Sequence, residues 1–136
     1  MAIDEVNIMA LEAGMINAVE GRSTEETSAI ALKSGSLKVL STPSMVALME
    51  QAAAELVDRN LPSEQTSVGI SLNIEHKAAT PIGLKLRAEA ELIEINGRKL
   101  KFKVQAFDER EEIGSGTHER FIVNREKFQS KADGKV

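Results

Sequence analysis

The stretch STPSMVALMEQAAAELVDRNLP, residues 41–62, sets the architecture of the chain. Ser41 and Thr42 supply hydroxyls suited to a helix N-cap, and Pro43 suits the first helical position. Apolar residues then recur at the spacing of one helix face, at Met45, Leu48, Met49, Ala52, Ala53 and Leu56. Asn60-Leu61-Pro62 is a stop signal. The stretch therefore predicts one long helix, and the alanines on its apolar stripe allow another element to pack closely.

The sequence after this helix changes to a period of two. Apolar and polar residues alternate over 68–75, 84–92 and 99–106, which is typical of strands with one buried and one wet face. Asn96-Gly97 predicts a tight hairpin between the second and third runs. A further turn leads into a fourth strand at 113–123. The pattern indicates an antiparallel sheet that follows the helix.

The whole chain is predicted to form one α+β domain, 1–136, with an edge strand at 23–32 and a possible N-terminal arm over 1–20. One long central helix wrapped by a curled antiparallel sheet is the hot-dog fold. A helix lying on the open meander of another α+β fold has the same local pattern. A lone hot-dog sheet keeps an exposed edge, which is a liability. Joining two sheets edge to edge would remove it, so we expect a dimer.

The composition excludes several classes of site and partner. The chain has no cysteine, which excludes disulfides, thiolate nucleophiles and iron–sulfur clusters, and two histidines leave little material for a metal site. Four phenylalanines are the only aromatic residues and the net charge is −4, which argues against nucleic acid as a partner. No apolar run approaches the ~20 residues that span a bilayer. The N-terminal residues lack the features of a signal peptide, so we expect a cytoplasmic protein with no membrane contact.

The charge is unevenly distributed along the chain. Residues 1–75 carry 4 basic and 11 acidic side chains, whereas residues 76–136 carry 13 basic and 10 acidic ones. A basic half could meet a small polyanion such as a nucleotide. A solvated surface of mixed charge explains the same counts without any ligand.

Three side chains near the predicted helix are candidates for chemistry. Glu50 lies at the flank of the apolar stripe, where a carboxylate becomes a stronger base unless it reaches solvent at the border. Thr42 either caps the helix with its hydroxyl or stands beside free N–H groups that attract an oxyanion. His76 is either a structural histidine or a proton carrier that meets Glu50 or Thr42. In a regular strand it shares the helix-facing side with Val68, Ile70, Leu72 and Ile74.

The segment 112–120 contains two glycines within a predicted strand. Gly114 and Gly116 weaken the strand unless another element approaches its backbone closely, and helix packing is the simplest explanation. Alternation places Arg120 on the face of the glycines, together with His118. Arg120 offers a fixed positive charge to a carbonyl or a phosphate.

Taken together, these segments resemble the fluoroacetyl-CoA thioesterase family of the hot-dog superfamily over roughly residues 37–130. Five pieces carry the resemblance: Thr42 with Met-Val-Ala-Leu-Met-Glu at 45–50, Gly69, His-Lys-Ala-Ala-Thr-Pro at 76–81, Glu-Ile-Gly-Ser-Gly-Thr-His-Glu-Arg at 112–120, and Glu-Lys-Phe at 126–128. The resemblance implies that Thr42, Glu50 and His76 are the catalytic residues. It also implies that Gly69 and Arg120 bind the substrate.

The resemblance further implies hydrolysis of a small acyl-CoA thioester by a homodimer, without metal or redox cofactor, and leaves assembly into a tetramer open. Glu50 would act as a general base on water or attack directly to give an anhydride. His76 would carry protons and Thr42 would orient the reacting groups. The segment 33–38 has no aromatic residue, whereas the family's fluoroacetyl-selective member has bulky aromatics there. A different lid over the acyl pocket is implied.

Three other functions fit parts of the pattern. A non-catalytic acyl-CoA-binding or regulatory hot-dog module would bind the ester without releasing thiol. A hot-dog hydratase usually pairs an aspartate with a histidine a few residues later, and no aspartate lies shortly before His76 or His118. A purely structural interaction protein leaves Glu50 and His76 unexplained.

Overall fold

The computed structural model describes residues 10–136, within which five strands and two helices are formed. In chain order they are β1 (Ile16–Arg22), α1 (Thr42–Arg59), β2 (Gln65–His76), β3 (Lys85–Asn96), β4 (Lys99–Phe107), β5 (Glu112–Asn124) and α2 (Arg125–Asp133). The strands form a single antiparallel sheet in the order β1-β3-β4-β5-β2. The four predicted strands after the long helix are therefore confirmed, whereas the strand before it, β1, lies at Ile16–Arg22 and not at the predicted 23–32.

The predicted long helix is α1, and its apolar stripe lies against the sheet. The buried members of the stripe are Met45, Met49, Ala52, Ala53, Leu56 and Val57. They pack on side chains of the central strands that water does not reach, including Leu92, Leu100, Phe102 and Val104. Each large apolar side chain buried in this way contributes about 1.5–3 kcal/mol to folding. The helix is thereby held against the centre of the sheet.

Thr42 does not cap α1, which was one of the two roles expected for it. Ser41 is the N-cap, because its Oγ accepts a hydrogen bond from the backbone N–H of Ser44 at 3.2 Å. Thr42 is the first helical residue and Pro43 follows it. The interpretation of Thr42 as the cap is therefore wrong, and its hydroxyl is available for another partner.

A single irregularity in the pairing of β2 with β5 decides which residues face the helix. The register shifts between Gly69 and Ser71, so Ile70 is an extra residue on β2. Gly69 pairs with Arg120, whereas Ile74 and His76 pair with Gly116 and Gly114. Directly opposed residues share a face of the sheet. Gly69 and His76 thus both face inward, and the expected alternation from Val68 to His76 holds only after the bulge.

Close contacts explain the glycines of β5. A Cβ on Gly114 would lie 2.6 Å from Sδ of Met45 on α1, and 2.9 Å from the Glu75 carbonyl oxygen. A Cβ on Gly116 would overlap the Asn73 carbonyl oxygen and would lie 2.8 Å from Cα of Ile74. The expected explanation, close packing of the helix on this strand, is confirmed for Gly114, whereas the close neighbour of Gly116 is the backbone of β2. The packing at Gly114 also brings the start of α1 close to the end of β2.

The segment before α1 is not the predicted edge strand. Over residues 23–32 the chain forms a 3₁₀ turn, Glu25–Thr27, and further turns. Thr27 Oγ1 accepts from the Thr24 backbone N–H, and Ser28 Oγ donates to the Glu25 carbonyl oxygen. These hydroxyls compete with strand pairing for the backbone groups. The alternation of polar and β-branched residues was misleading for this reason.

Two further predictions concern the β3–β4 hairpin and the N-terminal part of the chain. The β3–β4 hairpin has a two-residue loop, Gly97–Arg98, one position later than predicted, with Gly97 at φ +62°. Of the possible N-terminal arm, residues 1–9 lie outside the described residues, Leu11 is buried, and 16–20 belong to β1. Neither helix within residues 10–136 has the length and apolar character that crossing a bilayer requires.

Gly116→Ala should destabilise the protein by about 1–3 kcal/mol, because the new methyl group overlaps backbone atoms of β2 that cannot move aside. Gly134→Ala is the matched control. Its Cβ would meet carbonyl oxygens at 3.4 and 3.5 Å, which is ordinary contact, so the change should stay within about 0.5 kcal/mol. Urea unfolding of both variants measures the difference. Equal stabilities would contradict the proposed close approach of β2 and β5.

Candidate active site

A hydroxyl and an imidazole meet where α1 begins and β2 ends. Thr42 Oγ1 lies 2.7 Å from His76 Nδ1, a hydrogen bond between side chains 34 positions apart in the sequence. The Ser41 cap leaves the Thr42 hydroxyl unoccupied by the helix backbone, and the bulge in β2 turns His76 toward it. His76 was expected to meet Glu50 or Thr42, and within one chain it meets Thr42.

The environment of His76 favours its neutral form. Burial lowers the pKa of His76 from its ordinary value of 6.5, and the backbone of Ala78 offsets part of this effect. Its Nε2 is buried and has no hydrogen-bond partner among residues 10–136. A buried polar atom without a hydrogen-bond partner lowers stability, so this nitrogen is suited to bind a polar group of a ligand.

An open cleft of about 320 Å³ leads to this pair. Thr42 and His76 form part of its wall, and Ser34 reaches it from the segment 33–38 that was expected to form the lid. Four of its other lining residues have small side chains, Ala29, Ser41, Ala78 and Ala79, and the rest of the lining is Val39, Leu40 and Lys77. The wall contributed by the lid segment thus has no aromatic side chain, which leaves room for a ligand beside the hydroxyl and the imidazole.

Glu50, two turns after Thr42 on α1, belongs to a second cluster of site residues. The Glu50 side chain is 38% exposed and its Oε2 lies 3.9 Å from Nη1 of Arg120. A Cβ on Gly69 would lie only 2.8 Å from the same oxygen. Glu50 was expected to be surrounded by apolar side chains or to reach solvent at the border. It lies at the border, beside a cation and beside a glycine whose missing side chain leaves space.

Arg120 is almost fully buried, and its guanidinium is held by three hydrogen bonds. Nε donates to Ser67 Oγ at 2.7 Å, Nη2 donates to the Ser67 carbonyl oxygen at 2.9 Å, and Nη1 donates to His118 Nε2 at 3.1 Å. Burial lowers the pKa of Arg120, and the nearby Glu50 and Asp58 carboxylates oppose this. The result is an oriented positive charge beside Glu50.

The five predicted site residues therefore form two groups in one chain. Thr42 and His76 form the hydroxyl–imidazole pair, and Glu50, Gly69 and Arg120 form the carboxylate group. Eight residues separate Thr42 from Glu50, a rise of about 12 Å along a helix. Gly69 and His76 are seven residues apart on an extended strand, roughly 20 Å. Both groups combine residues of α1 and β2, but within a single chain Glu50 and His76 do not come together.

Two residues that hold the site were not identified as functional from the sequence. His118 was placed on the correct face by alternation, but nothing in the sequence showed that it contacts Arg120. Ser67 lies on the inward face only because the bulge at Ile70 reverses the alternation of β2. Within the described residues, no three histidine, aspartate or glutamate side chains come together in a way that could hold a metal ion.

Comparison with known proteins agrees with the resemblance seen in the motifs. The profile of the family FlK, fluoroacetyl-CoA-specific thioesterase, matches residues 23–126. The fluoroacetyl-CoA thioesterase of Streptantibioticus cattleyicolor is 42% identical over 99 residues, which cover 73% of this chain and 71% of that protein. The family match over residues 23–126 contains all five predicted site residues.

Two solved structures support the fold. A structure of the fluoroacetyl-CoA thioesterase FlK superposes with a TM-score of 0.87 at 32% identity, over 93% of this chain and 98% of the other. A hot-dog-like protein from Thermanaerovibrio acidaminovorans superposes with a TM-score of 0.85 at 18% identity, over 95% and 96% of the two chains. The predicted hot-dog fold is confirmed. The chain belongs to the fluoroacetyl-CoA-specific thioesterase family, whose activity is the hydrolysis of a thioester.

Proposed function

We propose that the protein hydrolyses a small acyl-CoA thioester to the free acid and CoA. The hydrogen bond between Thr42 and His76, at the wall of an open cleft, is the observation that carries the proposal, together with membership of the family. A thioester is activated toward water, so its hydrolysis needs a base, a proton carrier and a group that binds the carbonyl oxygen. The proposed chemistry requires no metal or redox cofactor.

In this proposal Glu50 begins the reaction. As a general base its carboxylate removes a proton from water while the water oxygen adds to the thioester carbonyl carbon. As a nucleophile it adds to that carbon itself, and water then hydrolyses the resulting anhydride. Gly69 supports either course, since a side chain there would occupy the space beside Glu50 Oε2. In both courses the C–S bond breaks and CoA leaves as a thiolate.

His76 then delivers the proton that the thiolate needs. In the general-base course, Nε2 of the neutral ring receives from Glu50 the proton that came from water and passes it to the departing sulfur. In the anhydride course, Nε2 takes the proton from the water that hydrolyses the anhydride and passes it to the thiolate that has already left. Thr42 holds the other ring nitrogen at 2.7 Å and so fixes the direction of Nε2. Arg120 binds the acyl group or its carbonyl oxygen, because its guanidinium is buried, oriented and not paired at hydrogen-bond distance with Glu50.

The separation of the two groups leads us to propose a homodimer that combines them. β2 is an edge strand of the described sheet, and residues 69–73 are all exposed, with Ile70 at 50% and Leu72 at 45%. An antiparallel, two-fold pairing of β2 with the partner's β2, with its axis between Leu72 and Asn73, places Gly69 opposite His76 of the partner subunit. Each active site then takes Glu50 from one subunit and the Thr42–His76 pair from the other. The pairing also covers the exposed edge.

Glu50→Gln and His76→Asn should each lower kcat/KM for acyl-CoA hydrolysis by at least about a hundredfold while the variants stay folded, since each removes a proton-transferring group. Thiol release from a panel of short and medium acyl-CoA esters, followed with a thiol-reactive dye, measures the effect and identifies the preferred acyl group. Glu55→Gln is the matched control, because Glu55 is exposed on the same helix and its side chain bonds only to Gln51 within residues 10–136.

Near-normal rates in both variants would contradict the catalytic assignment. If the wild-type protein binds acyl-CoA esters without releasing thiol from any of them, it is the non-catalytic binding module instead. Mass analysis of the Glu50 peptide after a single turnover in ¹⁸O-labelled water, with and without hydroxylamine, separates the two courses. Label in the carboxylate or a hydroxamate on Glu50 indicates the anhydride, and a Glu50 peptide with neither indicates general-base catalysis.

The acid limb of the pH–rate profile should have its midpoint below pH 6.5. Burial lowers the pKa of His76, and the neutral ring is the form that accepts a proton, so activity persists to lower pH than an ordinary histidine allows. NMR titration of the two histidines assigns the limb, with His118→Gln used to identify their signals. A midpoint above pH 6.5 that follows the His76 signals would contradict the assigned role.

A further inference from the structure

The imidazole of His118 is buried between two groups that leave it one protonation state. Its Nδ1 lies 2.9 Å from the Ser71 carbonyl oxygen, and its Nε2 lies 3.1 Å from Nη1 of Arg120. A carbonyl oxygen can only accept a hydrogen bond, so Nδ1 must carry the proton. A guanidinium can only donate, so Nε2 must be unprotonated. The contacts therefore define a neutral ring with its hydrogen on Nδ1.

The packing around His118 leaves the ring little freedom. The residue has no exposed surface, and the Phe102 ring lies 6.2 Å away between centroids. A Cβ on Gly69 would lie 3.2 Å from Cε1 of His118, so the imidazole edge borders the space beside Glu50. Burial lowers the pKa of His118 and the positive charge of Arg120 lowers it further, and together they outweigh the opposite effects of the Ser71 carbonyl and the Glu50 carboxylate. The neutral form is thus favoured by the surroundings as well as by the hydrogen bonds.

We propose that His118 is a positioning residue, which accepts a hydrogen bond from Arg120 and so directs the other N–H of Nη1 toward the substrate beside Glu50. This inference rests on the proposed function, because the directed N–H matters only if a thioester binds there. Ser67 holds the opposite side of the guanidinium through two hydrogen bonds. His118 supplies the third contact, and Nη1 is the atom that lies 3.9 Å from Glu50 Oε2.

The arrangement depends on the bulge in β2. Ser67 precedes Ile70 and Ser71 follows it, yet both turn carbonyl oxygens toward the β5 side chains. Ser71 thereby orients His118, and Ser67 orients Arg120. Two serines on one strand hold two neighbouring inward side chains of β5 in a single buried network. The positive charge is fixed without a carboxylate at hydrogen-bond distance, so its binding capacity stays available to a ligand.

Two substitutions separate the two hydrogen bonds of His118. In His118→Gln, the longer amide places an acceptor where Nε2 was and keeps the contact with Arg120. In His118→Asn, the shorter amide places a donor where Nδ1 was and keeps the contact with Ser71. Each variant loses one hydrogen bond, so their thermal stabilities should fall by similar amounts. We expect kcat/KM for acyl-CoA to fall roughly ten- to a hundredfold in His118→Asn and far less in His118→Gln.

A double-mutant cycle with Arg120→Lys tests whether the effect acts through Arg120. If His118 positions the guanidinium, His118→Asn should cost little further activity in the Arg120→Lys background. A purely structural His118 would instead lower activity by the same factor in both backgrounds. Equal losses in His118→Gln and His118→Asn would also overturn the proposal.

Nitrogen NMR of the wild-type protein is independent of folding losses in the variants and needs no substrate. The protein has two histidines, so their ring nitrogens are readily assigned. Protonated Nδ1 and unprotonated Nε2 in His118 are the expected result, and the opposite tautomer overturns the inference even if the enzyme is active. A wild-type protein without thioesterase activity would overturn the proposed function and the substrate-binding role of Arg120. The tautomer would still report whether His118 and Arg120 are paired.

Discussion

The one-residue irregularity at Ile70 is the constraint on which the site depends. Side chains alternate strictly along a strand, so a regular β2 would place Gly69 and His76, seven positions apart, on opposite faces. The bulge reverses the alternation once and turns both of them toward α1. Glu50 then has an open space beside it, and Thr42 has an imidazole within hydrogen-bond distance. The remainder of the fold holds the helix and the sheet at the spacing that these contacts require.

A buried cation is the second feature that the structure must accommodate. Arg120 lies in the sheet with little access to water, where an unsatisfied guanidinium would be costly. Ser67 and His118 satisfy it with neutral acceptors, and the Glu50 carboxylate remains beyond hydrogen-bond distance. A close ion pair would neutralise both groups. The observed arrangement keeps the carboxylate and the positive charge adjacent and separately available, which is what a site for thioester hydrolysis needs.

Much of the architecture could be predicted from the sequence, because periodicity records which side of an element is buried. The stripe of α1 and the strands after it followed from spacings of about 3.6 and 2 residues. The inward direction of Gly69 and Ser67 could not be predicted, because a bulge has no periodic signal. The alternation over residues 23–32 wrongly predicted a strand, because the side chains of Thr27 and Ser28 form hydrogen bonds with local backbone groups. The sequence also could not decide whether Ser41 or Thr42 caps the helix, because both side chains carry a hydroxyl.

The division of the site between two subunits is the central claim of this account. It is tested most directly by mixing two inactive proteins, one with Glu50→Ala and one with His76→Ala, unfolding and refolding them together. In a mixed dimer one site would combine the intact Glu50 of one subunit with the intact Thr42–His76 pair of the other. An equimolar mixture should recover about a quarter of wild-type acyl-CoA turnover, because half of the dimers are mixed and each has one complete site. A refolded mixture as inactive as its two components would contradict the account.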